Sequence, residues 1–300
     1  MTYSDSHELP RVTLVTVTYN AASVFDDFWQ SLSKQVDVEW ALIVVDNASV
    51  DKTSAKLALI ERDPRVTVVR SPINTGAAEG NNIGVRLAMA RADPYIILCN
   101  NDIVFDSNIL TGLIRAKQRL SPGAVSPVLV FGDNRSATWF EMGSFSTLFG
   151  VRCVHHSSFD ALPSQSYLTS YAPTTFLLFD REVIESVGEL DADYFAYWED
   201  ADYVWRARKK GYKLWVNPHT VVVHKVSQSS GGFGSLYSNH QYYKNQIRFA
   251  RKHFGRVVCG YTVATSLLRI GARWALRRDP LPLTKAKMLG LQAGILALRG

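Results

Sequence analysis

The chain has 300 residues, of which 47% are hydrophobic and 20% charged. This profile is typical of a globular protein with a sizeable core, in one large domain or two smaller ones. Its cysteines, Cys99, Cys153 and Cys259, are three and far apart, which excludes a disulfide framework and a cysteine metal site and favours a reducing compartment. Residues 1–10 form a polar tail without the basic and apolar parts of a secretory signal, so we expect a cytoplasmic protein.

Positive charge is concentrated at the C-terminal end. Residues 244–300 contain twelve Lys or Arg and one acid, Asp279, which gives this segment a charge of +11. Since the whole chain carries +6, the remainder carries −5. Such an asymmetry predicts an anionic partner for the C-terminal segment, namely phospholipid, nucleic acid or a phosphorylated acceptor.

The first hundred residues alternate short apolar runs with amphipathic stretches. The apolar runs have the length of buried strands, and the stretches between them have helical spacing. This alternation predicts an α/β fold with a mostly parallel central sheet covered by helices. The predicted strands are 12–17, 42–45, 66–69 and 95–99, and the predicted helices are 24–35 and 80–92.

Polar residues follow each of these predicted strands. Asn, Asp and Gly are frequent in residues 18–20, 46–49, 74–82 and 100–102. Each cluster alone is better explained by turn formation. All four, however, fall at the carboxyl ends of strands, where open α/β sheets bind their ligands. The sequence therefore predicts one binding crevice at this edge.

The pattern weakens between residues 120 and 171, where Ser, Gly, Pro and aromatic residues dominate. We expect a variable region with short strands that helps to shape an acceptor pocket. Regular spacing then returns. The predicted elements are a strand at 174–179, helices at 181–187 and 201–210, and strands at 214–216 and 220–223.

Residues 194–206 hold three carboxylates, Glu199, Asp200 and Asp202, between aromatic rings and before Arg206. Close acids raise one another's pKa, and burial adds to the cost of ionising them. A chain that carries such a cluster beside apolar residues is expected to use it, with one carboxylate as a general base.

A second candidate centre follows the fourth predicted strand. Asp102 comes after two amides and could hold a divalent cation through oxygen, while phosphates or water complete the shell. His224 follows another apolar run and could add an imidazole, although a single His in such a place is more often structural. Together with a base, these residues indicate a site for a phosphate-linked substrate, with a metal as Lewis acid.

The basic segment contains two uncharged runs, 257–268 and 288–298. Both are shorter than the roughly 20 residues that cross a bilayer. Arg269, Arg273 and Arg277 form one helical stripe, which favours a helix lying in the membrane interface. The alternative is a pair of helices packed on the domain with a solvated basic face. The absence of an RNA-recognition signature and of zinc-finger spacing argues against nucleic acid as a partner.

Short motifs follow one another along the chain in a fixed order. They are VTVTYN at 15–20, IVVDNAS at 43–49, NTG at 74–76, GNNIG at 80–84, LCNND at 98–102, GELD at 188–191, YWEDADYVWR at 197–206 and the later His224. This ordered series resembles the inverting glycosyltransferases of family 2, which have the GT-A fold, and bacterial rhamnosyltransferases in particular. The resemblance covers roughly residues 11–232, and its strength lies in the order of the motifs.

The resemblance assigns roles by position. It implies that Asp200 is the general base, that Glu199 orients it or touches the acceptor, and that Asp102 with His224 binds Mg2+ or Mn2+. Arg206 would pair with Asp202 as structural support. One departure concerns the Asp-x-Asp element of the family, in which Asn100 replaces the first acid. The residues implied to bind the nucleotide-sugar are Thr18, Tyr19, Asn20, Asp46, Asn74, Asn82 and Asn101.

The implied organisation is a GT-A domain at 11–232, with a nucleotide-binding half at 11–102 and an acceptor and catalytic half at 103–232. Residues 233–300 would form a basic helical region that holds the protein on the inner face of the cell membrane. The implied reaction is a single displacement from a nucleoside-diphosphate sugar to a hydroxyl of a lipid-linked or polysaccharide acceptor.

Closest similarity to rhamnosyltransferases favours dTDP-rhamnose as the donor. UDP-hexose, UDP-galactofuranose and a non-catalytic nucleotide-sugar-binding or scaffold protein are the alternatives. The Glu199–Asp200 pair argues against the non-catalytic alternative, because binding alone needs no base.

Overall fold

The computed structural model describes residues 8–132, 137–156, 162–225 and 234–298. Most of the predicted tail at 1–10 and the predicted domain boundary at 232/233 lie outside these residues. The strands are β1 (Arg11–Thr18), β2 (Glu39–Asp46), β3 (Val66–Arg70), β4 (Tyr95–Cys99), β5 (Ile103–Phe105), β6 (Gly123–Phe131), β7 (Thr138–Phe140), β8 (Met142–Ser146), β9 (Arg152–His156), β10 (Tyr167–Thr169), β11 (Phe176–Asp180) and β12 (Lys213–His224).

Helices connect these strands and complete the C-terminal part. They are α1 (Phe25–Ser33), α2 (Thr53–Ile60), α3 (Gly76–Ala90), α4 (Ile109–Lys117), α5 (Arg181–Val187), α6 (Glu199–Lys209), α7 (Leu236–Ala275) and α8 (Leu281–Leu296). Among the described residues, no helix combines the length and the apolar content that crossing a membrane requires.

The central sheet has the order β10-β12-β6-β11-β4-β1-β2-β3, and β5 and β7 pair with β12 and β6. Strands β3, β2, β1 and β4 run parallel, and β12 runs parallel to β6. Strand β11 lies antiparallel between β4 and β6. Most residues of β1 and β2 are buried, as expected for strands covered on both faces. The predicted α/β fold with a large, mostly parallel sheet and a C-terminal helical part is confirmed.

Strand β6 is a central strand in a region where the sequence predicted only short strands. All of its residues except Phe131 are buried. Ser126 and Pro127 interrupt its apolar run and hide the strand pattern. Pro127 is tolerated because the register of β12 shifts directly after its partner Asn217 and resumes at Val221. This shift also explains why β12 was predicted as two strands.

The C-terminal helices α7 and α8 form a hairpin that packs on itself and on the domain. A Cβ atom on Gly290 would lie 2.2 Å from the carbonyl oxygen of His240, so the backbones of the two helices approach closely. The turn between them is fixed by buried Asp279, which accepts hydrogen bonds from Arg273 and Lys287. Helix α7 is kinked at Gly255, where φ is 81°. The C-terminal segment therefore matches in part the alternative prediction of two helices packed on the domain.

Helix α7 is joined to α6 through the carboxylate of Asp202, which is completely buried. It accepts hydrogen bonds from Arg206 Nε at 2.8 Å and from His253 Nε2 at 2.7 Å, and Lys252 Nζ lies at 2.7 Å. The predicted pair of Asp202 with Arg206 is confirmed. Burial opposes ionisation of Asp202, but the hydrogen bonds from His253, Lys252 and Arg206 outweigh it and lower its pKa to about 2.

We predict that Asp202→Ala lowers the free energy of unfolding by about 3 kcal/mol at neutral pH, because it breaks the hydrogen bonds that a completely buried carboxylate accepts from Arg206 and His253. Since the pKa of Asp202 is lowered on folding, its contribution is present above about pH 4 and is lost as the pH falls towards 2. The difference between wild type and variant should therefore shrink in acid. Urea denaturation at several pH values measures this.

Asp193→Ala is the matched control. Asp193 pairs with Arg248 of α7, but its side chain is 68% exposed. Exposed pairs contribute less than about 1 kcal/mol. Equal losses for the two variants would show that burial of Asp202 does not decide its contribution.

Candidate active site

One cavity of about 1070 Å3 opens at the carboxyl ends of the central strands. This volume is at the upper end of the range for small-molecule sites, which is roughly 300–1,000 Å3. Helix α7 closes one side of it with Tyr237, Tyr242 and Tyr243. The sequence-predicted site residues that line the cavity are Tyr19, Asn74, Asn101, Asp102, Glu199, Asp200 and His224.

The other predicted residues, Thr18, Asn20, Asp46 and Asn82, lie outside the lining of the cavity. Asp46 accepts hydrogen bonds from Ser49 N and Ser54 Oγ. Asn20 accepts one from Val50 N. These two side chains therefore shape the loops that follow β1 and β2.

Asn82 is buried inside α3 and links this helix to the segment before α6. Its side chain donates to Leu190 O at 2.9 Å and accepts from Leu190 N at 2.8 Å. The NH2 group and the carbonyl oxygen of Asn82 are thus both hydrogen-bonded to the segment that precedes α6. The side chain of Thr18 is buried as well, and its hydroxyl makes no hydrogen bond within the described residues.

Asn47, which was not among the predicted site residues, organises the loop before α3. Its Nδ2 donates to Asn74 Oδ1 at 2.9 Å and to Gly76 O at 3.0 Å, and its Oδ1 accepts from Thr75 N. Asn74, at the cavity wall, is held by this contact. The position of Asn47 after Asp46 at the end of a strand was the available sequence signal.

Gly76 begins α3 at a point where this helix touches the segment before α6. Its φ is 84°, and a Cβ atom there would lie 2.3 Å from Phe195 O. The next residue, Ala77, donates its N–H to the same carbonyl oxygen at 2.6 Å. Only glycine satisfies both the left-handed conformation and this close approach.

Glu199 and Asp200 form the first turn of α6 and follow a strained turn of the backbone. Tyr197 and Trp198 have φ values of 67° and 76°, although neither is glycine. The left-handed conformation costs a non-glycine residue roughly 1–2 kcal/mol. Such strain is typical of functional sites, where the surrounding structure holds it in place.

The two carboxylates have different partners. Asp200 Oδ2 accepts a hydrogen bond from Tyr171 Oη at 2.6 Å, and Asp200 Oδ1 accepts from Ala201 N at 2.6 Å. Glu199 Oε2 is buried and makes no hydrogen bond within the described residues. Asp200 is therefore held in place, whereas Glu199 is held less firmly.

Burial raises the pKa of both carboxyl groups, because it disfavours their charged forms. The negative charge of Asp200 raises the pKa of Glu199 further. The hydrogen bonds from Tyr171 and Ala201 oppose the effect of burial on Asp200. Burial and the nearby Asp200 charge keep the pKa of Tyr171 well above its usual value, so Tyr171 remains a donor. Asp200 is thus the member of the pair that is more readily ionised.

Asp102 and His224 meet on another wall of the cavity. The pairing of β5 with β12 places His224 opposite Ile103, the residue after Asp102. His224 Nε2 lies 3.3 Å from Asp102 Oδ1, and the Trp139 ring packs edge-on against the imidazole at 4.6 Å. Neither ring nitrogen of His224 makes a hydrogen bond within the described residues, although the imidazole is buried.

This pair fits a divalent cation as a two-ligand site. A carboxylate oxygen and an imidazole nitrogen are ligands that Mn2+ accepts, and an open site leaves positions for phosphate oxygens. The described residues contain no group of three or more His, Cys, Asp and Glu side chains that could enclose a metal. The cation would therefore depend on oxygen ligands from a bound substrate.

The fold and the site define a transferase of the GT-A class. The chain belongs to glycosyl transferase family 2, whose sequence model matches residues 13–188. The predicted family and the predicted enzyme class are confirmed.

Among its relatives is the N-acetylglucosaminyl-diphospho-decaprenol L-rhamnosyltransferase of Mycobacterium tuberculosis, at 24% identity over 89% of this chain and 94% of the relative. The dTDP-rhamnosyl transferase RfbF of Shigella flexneri is 24% identical over 63% of this chain and 61% of the relative. The solved structure of GalNAc-T7 with UDP, GalNAc and Mn2+ superposes with a TM-score of 0.64 at 16% identity. That match covers 82% of this chain and 48% of GalNAc-T7, which supports the fold.

We predict that Gly76→Ala destabilises the protein by about 2 kcal/mol more than Gly211→Ala. Both glycines have positive φ, 84° and 94°, so both variants carry the strain of the left-handed conformation. Only the Cβ atom at position 76 meets another atom within 4 Å, and overpacking of this kind costs roughly 1–3 kcal/mol. Chemical denaturation of both variants measures the difference; equal costs would contradict the close approach of α3 to Phe195.

Proposed function

We propose that the protein transfers rhamnose from dTDP-rhamnose to a hydroxyl group of a lipid-linked glycan, with inversion at the anomeric carbon. The observation that carries this proposal is that the carboxylate pair Glu199–Asp200 and the pair Asp102–His224 line the same cavity. A base for the acceptor and a cation site for the donor diphosphate are the two requirements of such a single displacement.

Asp200 acts as the general base. It takes the proton of the acceptor hydroxyl while that oxygen attacks the anomeric carbon and the bond to the nucleoside diphosphate breaks. Tyr171 holds the carboxylate by its hydrogen bond, and Ala201 N fixes the other oxygen. Glu199 follows Trp198 beside Asp200 and would touch the acceptor, because its raised pKa allows it to donate a hydrogen bond.

Asp102 and His224 would hold Mg2+ or Mn2+, which when bound stabilises the negative charge of the departing diphosphate. Tyr19, Asn74 and Asn101 face the cavity and would contact the nucleotide-sugar directly. Thr18, Asn20, Asp46 and Asn82 would support it through the loops that they order.

The names of the relatives support the choice of sugar and acceptor. The mycobacterial enzyme is an L-rhamnosyltransferase whose name includes a diphospho-decaprenol, and the Shigella enzyme is a dTDP-rhamnosyl transferase. A lipid-linked acceptor requires the protein to work at a membrane surface. We therefore propose that it lies peripherally on the inner face of the cell membrane.

The tip of the α7–α8 hairpin, defined as residues 268–285, is the surface proposed to touch the membrane. It exposes large apolar side chains next to cations, the combination found in helices that lie in the membrane interface. The exposed apolar residues are Leu268, Trp274, Leu276 and Leu281, and the exposed cations are Arg273, Arg277, Arg278 and Lys285.

We predict that a screen of nucleotide-sugars gives hydrolysis or transfer with dTDP-rhamnose, and that Mg2+ or Mn2+ increases it.

Asp200→Asn should bind the donor as wild type does but lose about a thousandfold in transfer rate, within the range of 10²–10⁴ for general-base catalysis.

Tyr171→Phe removes the hydrogen bond that favours the charged carboxylate of Asp200. The pKa of Asp200 should rise, so activity should fall first at acidic pH.

Preference for a UDP-sugar would replace the proposed donor and leave the reaction type intact. An Asp200→Asn protein that is folded and transfers sugar at the wild-type rate would refute the base. Failure to bind or hydrolyse any nucleotide-sugar would support a non-catalytic protein.

We predict that the double variant Arg277→Gln, Arg278→Gln binds vesicles of anionic phospholipid about thirtyfold more weakly than wild type, since each cation near such a surface contributes about 1 kcal/mol. Vesicle sedimentation measures the affinity. The control variant Leu59→Ala, Arg62→Gln changes one exposed apolar and one exposed basic residue far from the hairpin tip along the chain. If both double variants bind as wild type does, the hairpin tip is not the membrane surface.

A further inference from the structure

We propose that Asn245 of α7 is a positioning residue for the catalytic base; this inference rests on the proposed role of Asp200. The residue directly before Glu199 is Trp198, and both Trp198 and Tyr197 are left-handed. No glycine relieves this strain. Contacts from elsewhere in the protein must therefore stabilise the turn that presents the two carboxylates.

Asn245 supplies these contacts from a distant part of the chain. Its Nδ2 donates one hydrogen to Ala196 O at 2.8 Å and the other to Tyr197 O at 2.9 Å. Ala196 O lies in the peptide plane before Tyr197, and Tyr197 O lies in the peptide plane after it. The backbone dihedrals φ and ψ of Tyr197 set the relative orientation of these two planes. Since both planes are held by one amide that is 1% exposed, the left-handed conformation is fixed.

Further side chains of α7 also contact the strained turn and helix α6. Phe249, one helical turn after Asn245, packs against the indole of Trp198 with ring centroids 4.9 Å apart. Another turn further on, Lys252 and His253 contact the carboxylate of Asp202 in α6. The strained turn and the start of α6 are therefore held against α7 as one unit.

Asn245 is not among the residues that line the cavity, whereas its neighbours Tyr242 and Tyr243 are. Within the described residues, Asn245 is therefore not placed to contact a substrate bound in the cavity. Its loss should therefore move Asp200 away from the acceptor hydroxyl without touching the donor site at Tyr19, Asn74 and Asp102. A small misplacement of a catalytic group lowers the rate strongly.

The test compares kcat and the donor KM of Asn245→Ala and Asn245→Asp with wild type. We expect Asn245→Ala to lower kcat about a hundredfold while the donor KM stays within about threefold. Asn245→Asp keeps the shape of the side chain, but its ionised form would place negative charge against two carbonyl oxygens. Its protonated form can still donate one hydrogen bond. The activity of this variant relative to wild type should therefore be higher at about pH 5.5 than at about pH 8.

Gln246→Leu is the matched control. Gln246 is the next residue of α7, is equally buried, and donates through Nε2 to Val151 O at 2.7 Å. Replacing Gln246 should lower the stability of the protein but leave kcat within about threefold of the wild-type value. The ratio of the variant's kcat to that of wild type should not change with pH. A loss of kcat as large as that of Asn245→Ala would show a general effect of disturbing α7 and overturn the proposal.

The proposal also fails if the ratio for Asn245→Asp does not change with pH, or if Asn245→Ala raises the donor KM at unchanged kcat. If Asn245→Ala does not fold, the pH dependence of Asn245→Asp decides. The outcome remains separable from that of the proposed function: a fully active Asp200→Asn refutes the base, whereas an inactive Asp200→Asn with a fully active Asn245→Ala refutes only the role of Asn245.

Discussion

The buried carboxylate of Asp202, with Arg206, Lys252 and His253 around it, fixes α6 against α7, and the arrangement of the cavity depends on this contact. Asp202 and Asp200 lie in the same helical turn but in opposite electrostatic surroundings. Hydrogen bonds from His253, Lys252 and Arg206 lower the pKa of Asp202, whereas among the described residues Asp200 accepts its hydrogen bonds from the neutral donors Tyr171 Oη and Ala201 N. One helix thus carries a structural acid that is ionised at neutral pH and a second acid that can more readily take up a proton.

Strands β1 and β4 were predicted to within one residue of their ends, because each is an apolar or β-branched run between turn residues, whereas β2 begins three residues before its predicted start, at Glu39. The same pattern predicted Asp102 and His224 at the ends of strands, whereas the roles of Glu199 and Asp200 at the same site were implied by the family resemblance. Strand β6 was missed, since Pro127 is compatible with a strand only beside the register shift of β12. The support given by Asn245 also escaped prediction, because 48 residues separate it from Tyr197 and no local spacing reports such a contact.

Part of the positive charge of the C-terminal segment pairs with acidic side chains of the same chain. The acidic body and the basic segment meet where Arg248 and Lys252 of α7 contact Asp191, Asp193 and Asp202. Some of the anionic partners that the +11 segment predicted are therefore side chains of the same chain. Beyond the kink at Gly255, Arg273 and Lys287 pair with Asp279, but three other cations differ. Arg277, Arg278 and Lys285 are exposed at the hairpin tip and remain available to another anionic surface.

Gly255 separates these two uses of one helix. Before the kink, α7 lines the cavity and holds the strained turn at Tyr197 and Trp198; after it, the helix carries the apolar and basic hairpin tip. On the proposed function, a glycan attached to a membrane lipid must reach Asp200 while the enzyme rests on that membrane. Because the first half of α7 is fixed to α6 and the second half leads to the hairpin tip, the same element that holds the proposed base would also set how the cavity faces the lipid surface.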